Sequence, residues 1–311
     1  MKRRWHFYIV GGLLLVGLIL GSFFDLQINQ AIFSKNNGFG LTISAFGMIP
    51  GYGTLAFLGG ALFALTFKNE KFNKWIRILF YVITIALYGL ATFFLGRDVF
   101  SDNGYNIPSL DPWLGCIIMG VLMIPVTYFG YWCGKKNENP HMWIIILVLA
   151  GAMFMALVPG TTLLKAIMHR PRYRIAIYEG YADYHNWWQP CKNYLDIINS
   201  HPGVLTKEEF KSFPSGHSTA VMCGLIMFTI APLMNKKWMK YQVPMFYIAF
   251  AWGLLVMFCR MLVGAHFLSD TCMGALLAVI FFYIANEIIV AKLLPMEEKE
   301  TSKPEEIPQE Q

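Results

Sequence analysis

The sequence predicts an all-α integral membrane protein, a polytopic bundle of about eight transmembrane helices, and three observations support this fold class. The chain has 311 residues, of which 56% are hydrophobic and 14% are charged, against about 45–50% and about 25% in an ordinary soluble domain. Apolar runs of the length that crosses a bilayer recur almost from end to end. No ten-residue alternation of polar and apolar residues indicates a β-barrel, so each run is predicted to be a helix whose backbone groups bond within the segment.

The predicted spans leave little of the chain outside the membrane. They cover about residues 7–24, 46–67, 78–96, 114–134, 142–163, 215–234, 243–263 and 267–291. The first span follows three basic residues, as a signal peptide does, but it is long and no small-x-small cleavage site precedes Asp25, so we expect a retained anchor. Residues 1–294 are predicted to form a single membrane domain. The charged, Pro-containing tail 295–311 is predicted to be a disordered cytoplasmic segment.

The distribution of Lys and Arg predicts the orientation. The formal charge is +6, from 25 Lys+Arg and 19 Asp+Glu, but no long basic block or basic helix stripe favours nucleic-acid binding. With a cytoplasmic N-terminus, 15 of the 25 basic residues lie in inner segments, and every short inner loop is more basic than the short outer ones. The positive-inside rule therefore predicts cytoplasmic N- and C-termini in the cytoplasmic (plasma) membrane, with the long polar segment 165–213 outside.

Three clusters of polar and ionisable residues adjoin this long outer loop, and all three are predicted to lie on the same side of the membrane. One loop joins the fifth and sixth spans, and the next two spans return the chain to the same face. Ionisable residues at membrane depth are costly and are candidates for function. The clusters are, in chain order, Lys165, Arg170 and Arg172; Ser215, Gly216 and His217; and Arg260, His266 and Asp270.

The first two clusters predict a phosphate site. Fixed cations and the unpaired N–H groups at a helix start attract negative charge, and the planar fork of Arg matches phosphate oxygens. Pro214 suits the first turn of a helix, Gly216 lets the backbone approach closely, and Ser215 adds a hydroxyl donor. The segment SFPSGHST is therefore predicted to cradle a phosphate.

The third cluster predicts an oriented nucleophile. His266 and Asp270 are four residues apart, which places them on one face of a helix. Such an Asp can accept the Nδ1 hydrogen, so that Nε2 of the imidazole is free to attack. His217 then remains as a general acid, and two imidazoles in opposite protonation states predict a bell-shaped pH profile.

Simpler interpretations exist for each cluster taken alone. A Lys or Arg at a span end usually reaches to the lipid headgroups, and a lone His-x₃-Asp pair is usually a structural hydrogen bond. His169, His185 and His201 are expected to be structural. These interpretations explain poorly why three clusters converge on one face of a sequence that is otherwise poor in charge.

At these clusters the sequence resembles the type 2 phosphatidic acid phosphatase family, integral membrane phosphatases that share their site with soluble acid phosphatases and vanadium haloperoxidases. The family's Pro-Ser-Gly-His motif is complete at residues 214–217. Its motif of Ser-Arg, five residues, His, three residues and Asp is matched by Arg260, His266 and Asp270, with Cys259 in the Ser position.

The family's first motif, Lys, six residues and Arg-Pro, is matched in part. Lys165 is followed after six residues by Arg172, but Tyr173 stands in place of the Pro, and Arg170 lies inside the spacer. The three motifs in this order are specific together, although none is specific alone. The resemblance covers about residues 160–285.

The resemblance implies a metal-independent hydrolase of phosphoric esters or diphosphates that uses no cofactor. It implies that His266 forms a phosphohistidine, that His217 is the general acid and that Asp270 orients the nucleophile. Members usually have six spans, so about two spans, most simply the pair at 78–134, are extra to the phosphatase core. The implied phosphate contacts are Lys165, Arg172, Ser215, Gly216 and Arg260, with Arg170 as an auxiliary candidate.

The substrate stays open at this stage, as does the oligomeric state. An isoprenyl pyrophosphate, phosphatidate, phosphatidylglycerol phosphate, a glycolipid phosphate and a soluble phosphoester all fit the predicted site. Two functions of other classes are also kept: a transporter or receptor that binds an anionic lipid without chemistry, and a non-catalytic scaffold with the same fold. The six cysteines form no CxxC pair and indicate neither a disulfide framework nor a zinc site.

Overall fold

The computed structural model describes residues 2–100, 112–226, 230 and 236–289. Within these ranges every regular element is helical, which confirms the predicted fold class. The longer helices are α1 (Lys2–Ile32), α3 (Ile49–Lys68), α4 (Lys74–Phe100), α5 (Pro112–Lys136), α6 (Met142–Met155), α10 (Gln242–Leu262) and α11 (Leu268–Ile288). The shorter helices are α2 (Gly38–Phe46), α7 (Thr161–Met168), α8 (Tyr194–Ser200) and α9 (Gly216–Met222).

Seven helical stretches in the described ranges are long and apolar enough to cross a membrane. They carry large apolar side chains on their outer faces, such as Phe23 at 72% exposure and Ile85 at 71%, which suits contact with lipid. The chain is therefore an integral membrane protein. The seven stretches are Arg4–Ile32, Gly38–Lys68, Lys74–Arg97, Trp113–Lys136, Met142–Met168, Gln242–Leu262 and Leu268–Ile288.

The sixth predicted span, at about 215–234, is described only in part. It begins as α9 and continues as a 3₁₀ turn over Cys223–Ile226, an apolar helical stretch of Gly216–Ile226 that is shorter than the other spans. Most of residues 227–235 lie outside the described ranges. The predicted disordered tail 295–311 lies outside them as well.

The first helix is longer than the sequence predicts. The predicted span ends at residue 24, before the polar Asp25, whereas α1 continues to Ile32. The polar side chains of this extra part face protein rather than lipid, since Asp25 and Asn29 are 1% and 0% exposed. A buried polar group that finds hydrogen-bond partners does not end a helix.

Helices α6 and α7 belong to one membrane-spanning stretch, Met142–Met168. A π-helical turn over Ala156–Gly160 joins them and contains Pro159, whose missing N–H loosens the helical ladder at this point. The helix then continues to Met168. Lys165 therefore lies within α7, whereas the sequence predicts it at the start of the long outer loop. His169 ends the helix with a left-handed φ of 43°, and its N–H bonds the Lys165 carbonyl.

The segment between α7 and α9 is a compact cap with its own small core. It contains α8 and a 3₁₀ turn over Lys207–Phe210, and the side chains that pack together inside it are Ile175, Cys191, Leu205 and Phe210. An ion pair between Arg174 and Glu209, at 2.8 Å, ties its two ends together. The cap covers the end of the bundle where the three predicted clusters lie.

The two extra spans form a pair, α4 and α5, that packs against α3. The rings of Tyr52 on α3 and Phe94 on α4 stack with centroids 5.4 Å apart. Tyr88 on α4 donates a hydrogen bond to the Gly120 carbonyl on α5 at 2.6 Å. The pair is therefore an integral part of the bundle and brings Phe94 towards its centre.

Candidate active site

A single cavity of about 1060 Å³ brings together residues from all three predicted clusters. Its wall combines the ends of α7, α9 and α10 with the cap. The cavity continues towards an apolar side formed by Tyr52, Phe94 and Leu157. Of the predicted site residues, those that line it are Lys165, Arg172, Gly216, His217, Arg260 and His266.

The cap holds the Arg172 side chain in place. The Arg172 N–H donates to the carbonyl of Glu209 at 3.0 Å, and its Nε donates to the carbonyl of Glu208 at 3.2 Å. Arg172 is 2% exposed yet lines the cavity. A backbone carbonyl of the 3₁₀ turn thus holds one nitrogen of its guanidinium.

Gly216 gives the backbone the close approach that the sequence predicts. A Cβ atom built on Gly216 would lie 3.5 Å from Nζ of Lys165 and near no other group. The glycine therefore faces the lysine amine across open cavity space. An anion between them would meet a cation on one side and the start of α9 on the other.

Ser215 does not line the cavity, in contrast to its predicted role as a phosphate donor. It is the N-cap of α9: its hydroxyl oxygen accepts from the N–H of Ser218 at 3.3 Å and from the Ser218 hydroxyl at 3.0 Å. Ser215 is fully buried, and its own N–H donates to the carbonyl of Asp270 at 2.9 Å. The structure gives this side chain a capping role that fixes α9 against α11.

The His266 imidazole is oriented by a backbone carbonyl, which corrects the predicted direct bond to Asp270. Its Nδ1 lies 2.8 Å from the carbonyl oxygen of Ser212, whereas the nearest oxygen of Asp270 lies 3.9 Å away, beyond hydrogen-bond distance. The carboxylate is occupied elsewhere: Oδ2 accepts from the Ser212 hydroxyl at 2.6 Å and from the Phe267 N–H at 2.8 Å. Either arrangement leaves Nε2 as the free nitrogen.

Arg170, the auxiliary phosphate candidate, points away from the cavity. It is 0% exposed and its Nη1 donates to Oδ1 of Asp270 at 2.6 Å. Its Nη2 donates to Oδ2 of Asp25 at 2.9 Å. Arg170 is thus held by two carboxylates and does not line the cavity, where a phosphate contact would require it.

The cavity keeps His266 neutral and close to a second imidazole. Burial has the largest effect and lowers the pKa of His266; Asp270 opposes it with the next largest effect, and the cations of Arg260 and Arg172 lower the pKa further. The rings of His217 and His266 have centroids 6.4 Å apart. A neutral imidazole has a lone pair available for attack, and a group placed between the two rings can be reached from both.

Several groups that complete the site were not predicted from the sequence. The Ser212 carbonyl carries no signal in the sequence, because its partner lies 54 residues away. Asp25 carries a signal in the sequence, since a single carboxylate beside an apolar run is a functional candidate, but the hydropathy pattern predicts that the span ends before it. His169, expected to be structural, lines the cavity and stacks on Tyr194 with centroids 3.8 Å apart.

The comparison with protein families agrees with the motifs. The model of the PAP2 superfamily matches residues 141–293. The chain belongs to the PAP2 superfamily. The matched range contains α6 to α11 and all the predicted site residues, whereas α1 to α5 precede it. This PAP2 member is a phosphoric ester hydrolase.

A curated relative narrows the class of this PAP2 member. The chain is 26% identical to the phosphatidylglycerophosphatase B of Haemophilus influenzae over 172 residues, which are 50% of this chain and 69% of the relative. No solved structure matches the chain. Together, family and relative make it a lipid phosphatase.

Proposed function

We propose that this PAP2 member hydrolyses the terminal phosphate of a membrane lipid through a phosphohistidine at His266. The observation that carries the proposal is the cavity itself. From the predicted clusters it gathers two imidazoles and three cations, while Tyr52, Phe94 and Leu157 form an apolar part of its wall. A phosphate group and a lipid chain therefore both find a matching surface in one continuous space.

The proposed first step is attack on phosphorus by Nε2 of His266. A carbonyl oxygen only accepts, so the 2.8 Å contact with Ser212 places the hydrogen on Nδ1 and the lone pair on Nε2. As the nitrogen–phosphorus bond forms, the bond from phosphorus to the lipid oxygen breaks. His217 donates its proton to that oxygen, and the lipid alcohol leaves.

The proposed second step is hydrolysis of the phosphohistidine by water. His217, now neutral, takes a proton from the water, which attacks phosphorus and returns His266 to its neutral form. Three cations that line the cavity, Lys165, Arg172 and Arg260, stabilise the charge on the phosphoryl oxygens in both steps. Inorganic phosphate is then released.

Phosphatidylglycerol phosphate is the first substrate to test. The relative is called a phosphatidylglycerophosphatase, and the apolar side of the cavity at Tyr52 and Phe94 suits a lipid substrate. Isoprenyl pyrophosphate, phosphatidate and glycolipid phosphates form the comparison set. We expect the enzyme to prefer a lipid phosphate over a soluble phosphoester, because only a lipid chain would contact the apolar side of the cavity.

We place the cavity at the outer face of the cytoplasmic membrane. The short basic loops after α3 and α5 meet at the far end of the bundle, where the Lys68 amine donates to the carbonyl of Asn137 at 3.0 Å. The positive-inside rule assigns such loops to the cytoplasm, which puts the cap and the cavity outside. Accessibility of a cysteine introduced at exposed Val204 in the cap, labelled in intact cells, tests this orientation.

The experiment that tests the function measures inorganic phosphate released by the detergent-purified chain from the panel of lipid phosphates. EDTA is present throughout, and His266→Ala is measured beside the wild type. Release that survives chelation and is lost in the variant supports the proposal. Binding of the lipids without release by the wild type would instead favour an anionic-lipid transporter or a scaffold.

A further inference from the structure

The first helix of the bundle reaches the catalytic end through a buried network of charges. Asp25 on α1 and Asp270 on α11 each bind one Nη of Arg170, at 2.9 Å and 2.6 Å. All three side chains are fully buried. The network lies behind the cavity wall, since none of its members lines the cavity.

The sequence of α1 is adapted to this contact. A Cβ atom on Gly21 would lie 2.7 Å from the backbone N of Ser269, so a glycine is required for α1 to approach the start of α11. Asp25 then accepts the Ser269 N–H at 2.9 Å and also binds the Ser269 hydroxyl. One turn further on, Asn29 donates to the backbone carbonyl of His266 at 3.0 Å.

Each oxygen atom of the two network carboxylates accepts at least one hydrogen bond. Asp25 takes one Nη of Arg170, which leaves the other Nη for Oδ1 of Asp270. The guanidinium is also fixed by the carbonyl of His185 at 2.8 Å and lies over the ring of Phe267 at 4.2 Å. The Asp270 carboxylate therefore cannot rotate, and its Oδ2 stays 3.9 Å from Nδ1 of His266.

We propose that Asp25 and Arg170 are positioning residues of the phosphatase site, which hold the Asp270 carboxylate as a fixed negative charge beside His266. The inference rests on the proposed function. With two carboxylates and one guanidinium the network has a formal charge of −1. Attack by Nε2 puts positive charge on the imidazole, and a fixed negative charge at this distance stabilises it.

Asp25→Asn is the variant of choice for the test. It keeps the size of the side chain and removes one charge, and it leaves a balanced Arg170–Asp270 pair, which a buried site tolerates better than a lone ion. Without the negative charge of Asp25, the cation of Arg170 offsets the field of Asp270 at His266. Arg170 itself is a poor choice, because its loss would leave two buried carboxylates facing each other.

The matched control is Ser22→Ala, on the same helix and one turn earlier. The Ser22 hydroxyl accepts from the indole N–H of Trp187 at 2.8 Å, so this variant removes a contact between α1 and the cap without touching the network. Ser269→Ala provides a second, milder variant. It removes the hydroxyl that accepts from Arg170 at 2.8 Å and binds Asp25, and it carries the test if Asp25→Asn does not fold.

The experiment measures kcat and KM of the full-length chain in detergent micelles, with the preferred lipid phosphate of the panel. We expect Asp25→Asn to lower kcat at least tenfold and Ser269→Ala about threefold, with KM within twofold, because no cation that lines the cavity is changed. Ser22→Ala is expected to change neither constant. A folded Asp25→Asn protein with wild-type kcat would overturn the inference. So would a folded Asp25→Asn protein in which kcat falls and KM rises to a similar extent.

A thermal unfolding series separates this inference from the proposed function. Asp25→Asn and Asp270→Asn act on the same guanidinium, so we expect their effects on the unfolding midpoint to be non-additive. If the wild type hydrolyses no panel member, the proposed function fails, and non-additive midpoints would then reduce the network to a structural role. If the two shifts of the unfolding midpoint add and the wild type is active, the proposed function stands and the inferred role of the network is refuted.

Discussion

Nδ1 of His266 donates a hydrogen bond to the backbone carbonyl oxygen of Ser212 at 2.8 Å. A side-chain substitution cannot remove this acceptor, so the tautomer that exposes Nε2 is built into the backbone. Asp270 lies 3.9 Å from the same atom, beyond hydrogen-bond distance, and we propose that it acts on the ring as a fixed charge. The two effects can therefore be separated by mutation.

Asp270→Asn is expected to lower kcat by about 10- to 100-fold with little change in KM. Loss of an acceptor that sets the tautomer costs about 10⁴ in a serine protease. Here the Ser212 carbonyl keeps the tautomer, and the variant loses the charge and one of the two acceptor oxygens of Asp270. Steady-state kinetics on the preferred lipid phosphate provides the measurement. A loss of about 10⁴ would show that Asp270 sets the tautomer after all.

Protein stability is expected to fall as the pH falls below about 6.5, and His266 accounts for part of this loss. Its pKa in the folded protein is lowered to about 3, chiefly by burial, so the unfolded chain binds the proton more readily. The stabilising contribution of the neutral ring is fully present above the unfolded pKa near 6.5 and is lost progressively as the pH falls towards the folded value.

The measurement for this prediction is the pH dependence of unfolding of the wild type and of His266→Gln. One proton changes the free energy of unfolding by at most about 1.4 kcal/mol per pH unit. The variant should therefore lose less stability than the wild type between pH 6 and pH 5, by roughly 1 kcal/mol. Parallel curves would mean that His266 is not held neutral by its surroundings.

Gly216→Ala is expected to weaken anion binding without weakening the fold. The added Cβ would lie 3.5 Å from Nζ of Lys165, an ordinary van der Waals distance, and Ala is favourable in a helical turn. The methyl group nevertheless occupies the space between the amine and the start of α9. Orthovanadate, a mimic of five-coordinate phosphorus, should inhibit the wild type and inhibit the variant at least tenfold more weakly, with an unchanged unfolding midpoint. Equal inhibition of the wild type and the variant would mean that the phosphate does not bind next to Gly216.

Phe94→Ala is expected to raise KM for a lipid phosphate several-fold and to leave hydrolysis of a soluble phosphoester unchanged. Phe94 lines the apolar side of the cavity, and only a lipid reaches it. Phe93→Ala is the matched control, because the neighbouring ring is 43% exposed on the outer face of α4. An equal effect of both variants on both substrates would indicate a general disturbance of the bundle.

The fold and the site were predictable from the sequence to different depths. The length and hydropathy of the apolar runs were enough for the helices, because backbone bonding in lipid leaves no alternative. The end of α1 was misplaced at Asp25, because whether a carboxylate ends a span depends on the partners it finds. Those partners, Arg170 and Ser269, are 145 and 244 residues away.

The site shows the same division between chemical type and geometry. The motifs placed His217, His266 and Arg260 at one cavity, since their residue types are those that phosphate chemistry needs. They predicted a phosphate contact from Arg172 and left its neighbour Arg170 as an auxiliary candidate. Arg172 lines the cavity and Arg170 does not, and this difference is set by the cap and by α1, which lie outside the motif.

The proposed mechanism requires that His266 becomes phosphorylated. A lipid phosphate labelled with ³²P in its terminal phosphate is mixed with the purified chain, and the reaction is quenched within milliseconds by alkali, which preserves phosphohistidine. We predict a labelled, acid-labile phosphoprotein in the wild type and none in His266→Ala. Label that persists in His266→Ala, or phosphate release by a wild type that shows no labelled protein at any time, would contradict the proposed mechanism.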